Sequence, residues 1–568
     1  MKSALTRLWN LITKPLTSQW PLWLMILLMM GPHSVPGAWA YVACALAALM
    51  RRKWAAWVLF ALVLLLTLAD QLVQVNYRAR LGAETLRLIA ETSTREAAEW
   101  LTSLRPTRAN AIIAASAVGY TALMWILMRF RNAIETRLPT LLRRGILIAA
   151  MALTAICFYK CRLLAPIAQI QNDDDIARWD TSDNRPYDVV TNLLFAARCM
   201  QVSADEMRQA VATTRALAEE PAPTAVFNHD SLTIVLVIGE SHIRAHSSLY
   251  GYPLATNPHM QAEADAERLT VFTNAVAPFD QTTPVLKNML CTNSIGLHEP
   301  WNRSAYLPAL MAHAGYAVNL FDNQRVSYRN SGATFALNAF LYDPYMTEHV
   351  YTTLNDSIFA YDGQLVDHLA RRRDAVASRS ALTIIHLLGQ HFNADLRYPA
   401  EQAHFTADSL RWRSEHWLDD EARHEIAHYD NACLYGDSVL AQIINLYRSR
   451  EAVVIYLSDH GEEIYDYRPH TGRYLNPTDI TPEFAHTHFD VPMFVWVSDS
   501  YSRRHPDLVA ALPEAARKPF PTDLLPHLLL RLAGVATPHY RAALDPLSPQ
   551  YRCPPRHVAG QDYDNIIK

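Results

Sequence analysis

At 568 residues the chain is too long for a single hydrophobic core, so two or more domains are expected. Lys and Arg number 51 against 55 Asp and Glu, a net charge of −4, and this balance lacks the basic excess of a nucleic-acid-binding protein. Seven cysteines do not make a disulfide scaffold, although Cys199, Cys291, Cys433 and Cys553 lie in polar sequence and are free to pair in an oxidising compartment.

The N-terminal part carries five apolar stretches, at 20–34, 37–50, 54–74, 109–128 and 144–165. Most approach the ~20 residues needed to cross a hydrocarbon core, so residues 1–165 read as a transmembrane domain of five spans. Basic residues set its orientation. Lys2, Arg7 and Lys14 precede the first stretch, Arg51, Arg52 and Lys53 follow the second, and Arg129, Arg131, Arg137, Arg143 and Arg144 follow the fourth. The loop "GPHSVPGA" has no Lys or Arg. The basic loops therefore face the cytoplasm, and an odd number of spans leaves everything after residue 165 outside, in the periplasm of a bacterium. The loop at 80–104, rich in helix formers, reads as an amphipathic helix lying on that outer face.

Residues 166–225 read as an acidic linker followed by bridging helices, and residues 226–568 as a globular domain. In the latter, "LTIVLVIG" (232–239), "RLTVFTNAV" (268–276), "YAVNLFD" (316–322), "ALTIIHLLG" (381–389), "EAVVIYLSD" (451–459) and "VPMFVWVSD" (491–499) alternate with helical patterns. Such aliphatic and β-branched runs predict an α/β fold with a mostly parallel sheet covered by helices on both faces. Ligands of these sheets bind beyond the carboxyl ends of the strands. The first run ends on Glu240, the fifth on Asp459 and His460, the fourth on Gln390 and His391, and the second leads to Thr282 and Thr283. Glu, Asp and His at neighbouring strand ends suit zinc. A hydroxyl as fourth ligand would become a nucleophile. His486 and His488 in "FAHTHFDVP" are a weaker metal-ligand pattern, and Arg325 and Arg329 after the third run are candidates for an anion.

Taken together, "VIGESHIRAHSSLYGYPLATNP", a Thr opening a helix, "IHLLGQH", "YLSDHGEE" and "PHTG" resemble the phosphoethanolamine transferases. These are inner-membrane enzymes of Gram-negative bacteria with an extracytoplasmic domain of the alkaline-phosphatase/sulfatase type, and the resemblance extends over nearly the whole chain. It implies Glu240, Thr282, Asp459 and His460 as metal ligands, Glu462 as an acid behind them, and His391 and His470 as substrate-facing acid/base residues. In the family a nucleophilic Thr stands seven residues before a Met, which here counts back from Met289 to Thr282. Val285 and Lys287 replace the intervening Ser and Pro, so Thr283 stays an alternative. Because Thr283 precedes Pro284, it is the expected helix N-cap, with Thr282 outside the helix. On the 80–104 helix, Thr92 and Glu96 match donor-contacting positions, and Leu88 stands where the family has Asn.

The resemblance implies a monomeric, multi-pass inner-membrane enzyme with one zinc site, a second as an option and Mn2+ as the alternative metal. Its donor would be phosphatidylethanolamine and its acceptor lipid A, lipopolysaccharide core or a periplasmic glycan. The rival readings are a phosphoglycerol transferase or sulfatase-like hydrolase on the same scaffold, and an inactive membrane-anchored lipid- or glycan-binding protein.

Overall fold

The computed structural model describes residues 20–30, 53–77, 81, 107–137, 145, 165–171, 189–227, 231–324, 338–376, 380–472 and 480–568. The spans expected at 37–50 and 144–165, the 80–104 helix with Thr92 and Glu96, and Arg325 and Arg329 lie outside the described residues or nearly so. The chain divides into two compact units, with the main boundary between Ala204 and Asp205.

The first unit is helical. Helices α1 (Trp20–Met30), α2 (Lys53–Tyr77) and α3 (Arg108–Arg137) follow three of the apolar stretches. Two segments, Trp54–Val75 and Arg108–Ala133, are long and apolar enough to cross a membrane, with mean hydropathies of 2.2 and 1.9. Leu22, Met25, Ile26 and Met29 pack on Ala56, Phe60, Val63 and Met124. Asp70, the acid within α2, caps the backbone N–H of Leu81 at 2.8 Å.

The second unit is a mixed α/β domain. Its sheet contains β1 (Thr233–Gly239), β2 (Leu269–Phe272), β3 (Ala317–Asp322), β4 (Thr353–Leu354), β5 (Ala381–His386), β6 (Ala452–Ser458) and β7 (Met493–Val497). They lie in the order β2-β7-β6-β1-β5-β3-β4. Strand β1 is central and buried along its whole length, as its unbroken aliphatic run requires. The six expected strands are present, and the two-residue β4 at the edge carries no such run.

The sheet is parallel except at β7, which runs against both β6 and β2. The end of β6 and the start of β7 lie side by side, with Leu457 opposite Met493 in the antiparallel register. Apolar clusters line both faces. Ile234, Leu236 and Ile238 of β1 point into one, and Val235 and Val237 into the other. No disulfide joins Cys199, Cys291, Cys433 and Cys553 to one another. Cys291 and Cys433 are buried in separate clusters.

Helix α4 (Val189–Leu217) and helix α5 (Thr282–Met289) are joined within this unit by a buried ion pair. Lys287 Nζ stands 3.8 Å from Glu206 Oε2, with their side chains 1% and 11% exposed. The ammonium lies 5.1 Å from the ring centre of Trp301, whose indole N–H donates to the same carboxylate at 3.3 Å. Removing one member of a buried pair strands the other charge, at a cost of about 3–5 kcal/mol, whereas an apolar replacement for the whole pair is often neutral. Glu206→Ala should therefore destabilise the purified protein by about that amount, and adding Lys287→Met should restore most of it. Thermal unfolding of wild type, the two single variants and the double variant measures this; additive losses would contradict the coupling.

Candidate metal centre and nucleophile

Three adjacent strands deliver the site. Strand β1 ends at Gly239, where a Cβ would fall 2.4 Å from the Tyr456 hydroxyl, so a residue without a side chain is needed to let Tyr456 cross beneath. Glu240 follows, then Ser241 in the left-handed region at φ 56, a conformation that costs a non-glycine residue about 1–3 kcal/mol. The surroundings hold that turn. Ser241 N–H donates to Asp459 Oδ1 at 3.1 Å, its hydroxyl to Glu240 Oε1 at 2.8 Å, and its carbonyl accepts from Tyr429 at 2.5 Å.

Glu240, Asp459 and His460 are fully buried, and each offers a ligand atom within 4.8 Å of the others. His460 Nε2 lies 3.4 Å from Glu240 Oε1 and 3.2 Å from Asp459 Oδ2. Its Nδ1 is 2.8 Å from the Gly461 carbonyl, so Nδ1 carries the proton and Nε2 presents a lone pair to the two carboxylates. Asp459 Oδ1 accepts from the backbone of Ser241 and His460, while its buried Oδ2 accepts no hydrogen bond. Burial first, and the Glu240 carboxylate second, push the Asp459 carboxyl well above the usual range. Two buried carboxylates facing an imidazole lone pair are strongly unfavourable without a cation among them. The donor set is oxygen and nitrogen, which fits Zn2+.

Thr282 completes the group. Its Oγ1 donates to Glu240 Oε2 at 3.0 Å and lies 3.4 Å from His460 Nε2. The helix starts two residues earlier than expected, with Gln281 as N-cap, Thr282 and Thr283 as its first residues and Pro284 third. Proline is accepted there because the first-turn N–H groups have no helical acceptor in any case. Thr283 is thus not the cap; it is buried within the first turn, and Thr282 is the threonine that reaches the carboxylate.

Other expected residues fall further out. His391 sits on the loop after β5, half-buried, with Nδ1 unpartnered; His470 and Glu462 lie on the loop after β6. Glu462 Oε1 accepts from the Glu463 N–H at 3.1 Å. His486 and His488 do not join the cluster: His486 Nδ1 binds Asp490 at 2.8 Å, and His488 stacks on Phe484 with ring centres 3.9 Å apart. Asp490 also accepts from Arg244 and Tyr563. Sequence reasoning missed Gln324, whose Nε2 donates to Glu240 Oε2 at 2.9 Å, although its place just past β3 put it at the right end of the sheet.

It also missed His246. This buried imidazole bridges Asp430 (2.7 Å) and Asp466 (3.1 Å), tying helix α6 (Asp420–Tyr447) to the loop that carries His460 and Glu462. Burial opposes its charge, but Asp466 and Asp430 outweigh burial and raise its pKa from 6.5 to about 10. Its contribution to stability is complete below pH 6.5 and is lost as the pH rises towards 10, with a limiting slope of about 1.4 kcal/mol per pH unit. Metal-free wild type should lose thermal stability over that window, and His246→Gln should flatten the slope. Parallel slopes would remove His246 as the titrating group.

Residues 233–535 match the sulfatase family model. Phosphoethanolamine transferase EptC of Escherichia coli (strain K12) is 29% identical over 362 residues, or 61% of this chain and 60% of that protein. The chain thus spans about 60% of the length of the curated relative it matches. The crystal structure of the periplasmic domain of E. coli EptC superposes with a TM-score of 0.50 at 27% identity, covering 61% of this chain and 97% of that one, and the same domain has been solved in complex with Zn. Over 94% of this chain and 97% of the other, the integral membrane lipooligosaccharide phosphoethanolamine transferase A of Neisseria meningitidis shares the fold, with a TM-score of 0.55 at 16% identity.

Proposed function

The chain belongs to the sulfatase family, and on that footing we propose that it transfers phosphoethanolamine from phosphatidylethanolamine to a cell-envelope acceptor through a phosphorylated threonine. One observation carries this reading: the Thr282 hydroxyl lies within hydrogen-bond distance of Glu240 at the head of a helix, beside a buried Glu-Asp-His set. The E. coli EptC domain solved with Zn supports zinc as the ion.

Glu240, Asp459, His460 and Thr282 Oγ1 would hold the Zn2+. A cation there lowers the pKa of the threonine hydroxyl and offsets charge on a phosphoryl oxygen. Glu240 Oε2, already accepting the Thr282 hydrogen, orients the hydroxyl. The Thr282 oxygen forms a bond to phosphorus, the bond from phosphorus to the diacylglycerol oxygen breaks, and diacylglycerol leaves with a proton. The N-terminal end of α5, where Thr282 sits, would favour the anionic phosphoryl group. In the second step an acceptor hydroxyl or phosphate attacks the same phosphorus and Thr282 regains its hydrogen. His391 and His470, on loops at the same end of the sheet, are the acid/base candidates for the two proton movements.

The same reading takes residues 1–165 as a five-span inner-membrane domain, 166–225 as a bridge and 226–568 as the periplasmic catalytic domain, acting as a monomer. Thr92 and Glu96 would contact the donor, and Glu462 would support the ligands, with a second zinc or Mn2+ as variants of the metal content. Lipid A or lipopolysaccharide core is the favoured acceptor, because donor and acceptor then share one membrane system.

Intact-protein mass spectrometry after incubation with phosphatidylethanolamine vesicles tests this. A phosphoethanolamine adduct on Thr282 is expected, together with a loss of transfer of at least about 10^3-fold in Thr282→Ala and a change of only a few-fold in Thr283→Ala. Chelation of the metal should abolish the adduct. An adduct formed only when phosphatidylglycerol vesicles or a sulfate ester are supplied in place of phosphatidylethanolamine would move the reading to a neighbouring chemistry on the same scaffold. Turnover unchanged by Thr282→Ala or by chelation would end it.

A further inference from the structure

Behind Glu240 lies a closed ring of buried polar groups that the reaction as described does not use. Strands β3 and β5 are paired with Asp322 opposite His386. His386 Nδ1 lies 3.1 Å from Asp322 Oδ1, and the Gln324 backbone N–H donates to that same oxygen at 2.8 Å. The Gln324 side chain closes the ring, with Nε2 at 3.0 Å from His386 Nε2, 2.9 Å from the Leu387 carbonyl and 2.9 Å from Glu240 Oε2. Asp322, Gln324 and His386 are 2%, 8% and 5% exposed.

The chemistry of these contacts fixes their orientation. A carboxylate oxygen, a carbonyl oxygen and an imidazole nitrogen surround one end of the Gln324 amide. Only the NH2 end fits there, because an amide oxygen would face two other oxygens at under 3 Å. His386 in turn donates from Nδ1 to Asp322 and presents the Nε2 lone pair. Glu240 Oε2 thus accepts both from Gln324, which takes no part in the proposed reaction, and from Thr282, which does. Ser241 holds Oε1 at 2.8 Å. Each Glu240 oxygen is thus held by a donor, and Oε1 stands 3.4 Å from His460 Nε2.

We propose that Asp322, His386 and Gln324 are positioning residues that lock the Glu240 carboxylate in its metal-ligating orientation, so that zinc affinity depends on a ring that does not touch the ion. This rests on the metal-site reading above. Outer groups that orient metal ligands are worth typically 10–100-fold in metal affinity.

The test uses the full-length protein purified in detergent, with zinc as the probe. Gln324→Met and His386→Phe are compared with wild type by competition against a chelating dye, and the melting temperature of each is read in the metal-free state. Each variant should bind zinc about 10–100-fold more weakly. The double variant should lose no more than the worse single, because both act through one contact. Zinc affinity of Gln324→Met within twofold of wild type would overturn the proposal, whatever happens to its melting temperature. The same holds if affinity falls only in parallel with metal-free stability, which is what a purely structural role predicts. Should His386→Phe fail to fold, Gln324→Met decides alone. If wild type binds zinc but transfers nothing, the transferase reading falls and the ring stands; if wild type binds no zinc, both fall.

Discussion

Two carboxylates, Glu240 and Asp459, are held side by side in the protein interior, and the rest of the domain is arranged to tolerate this. Like charges in a low-dielectric setting repel strongly, and a fold free to relax would separate them or leave one protonated. Here they cannot separate. Glu240 and Asp459 each follow the end of a strand in the sheet's centre, where β1 and β6 pair through seven residues in register. The backbone ladder fixes the distance, and the hydrogen bonds from Ser241 and His460 to Asp459 fix the direction. A cation between them converts a liability into a binding site, so that sheet pairing energy becomes metal affinity.

The reversed strand β7 runs back beside β6, and the described residues between them include His460, which belongs to the Glu-Asp-His set. Its loops are pinned by polar contacts rather than by apolar packing alone. Asp490 collects Arg244, His486 and Tyr563, and His246 joins Asp430 to Asp466. Gly461 belongs to the same packing: a Cβ there would fall 1.9 Å from the Thr487 carbonyl, so the loop lies directly against the turn that carries His488.

The central strands and the Glu-Asp-His set were legible because they depend on local pattern. An aliphatic run that stops at an acid marks both a buried strand and its functional end. The direction of β7 was not legible, since an antiparallel buried strand carries the same apolar run as a parallel one. Gln324 and His386 were not legible either: an amide after a strand and a histidine inside an apolar run have meaning only once β3 and β5 are known to be neighbours. His486 and His488 were the weaker metal-ligand pattern in the sequence, and the structure leaves them outside the cluster: Asp490, just past the short helix that carries them, is the partner of His486.

The helix bearing Thr282 shows how a departure from a family pattern can be absorbed. Where the resemblance leads one to expect proline, this chain has Lys287, a long cation pointing into the interior on the same short helix as the nucleophile candidate. A lone buried ammonium there, in the last turn of the helix, would be costly. Glu206 and Trp301 instead surround it with a carboxylate and an aromatic face. The charge is thereby matched by Glu206 and Trp301, and the helix still presents Thr282 to the buried carboxylate at 3.0 Å. What the site requires at position 287 is therefore a residue whose interactions are complete away from the metal ligands, and a compensated lysine meets that requirement as a proline would.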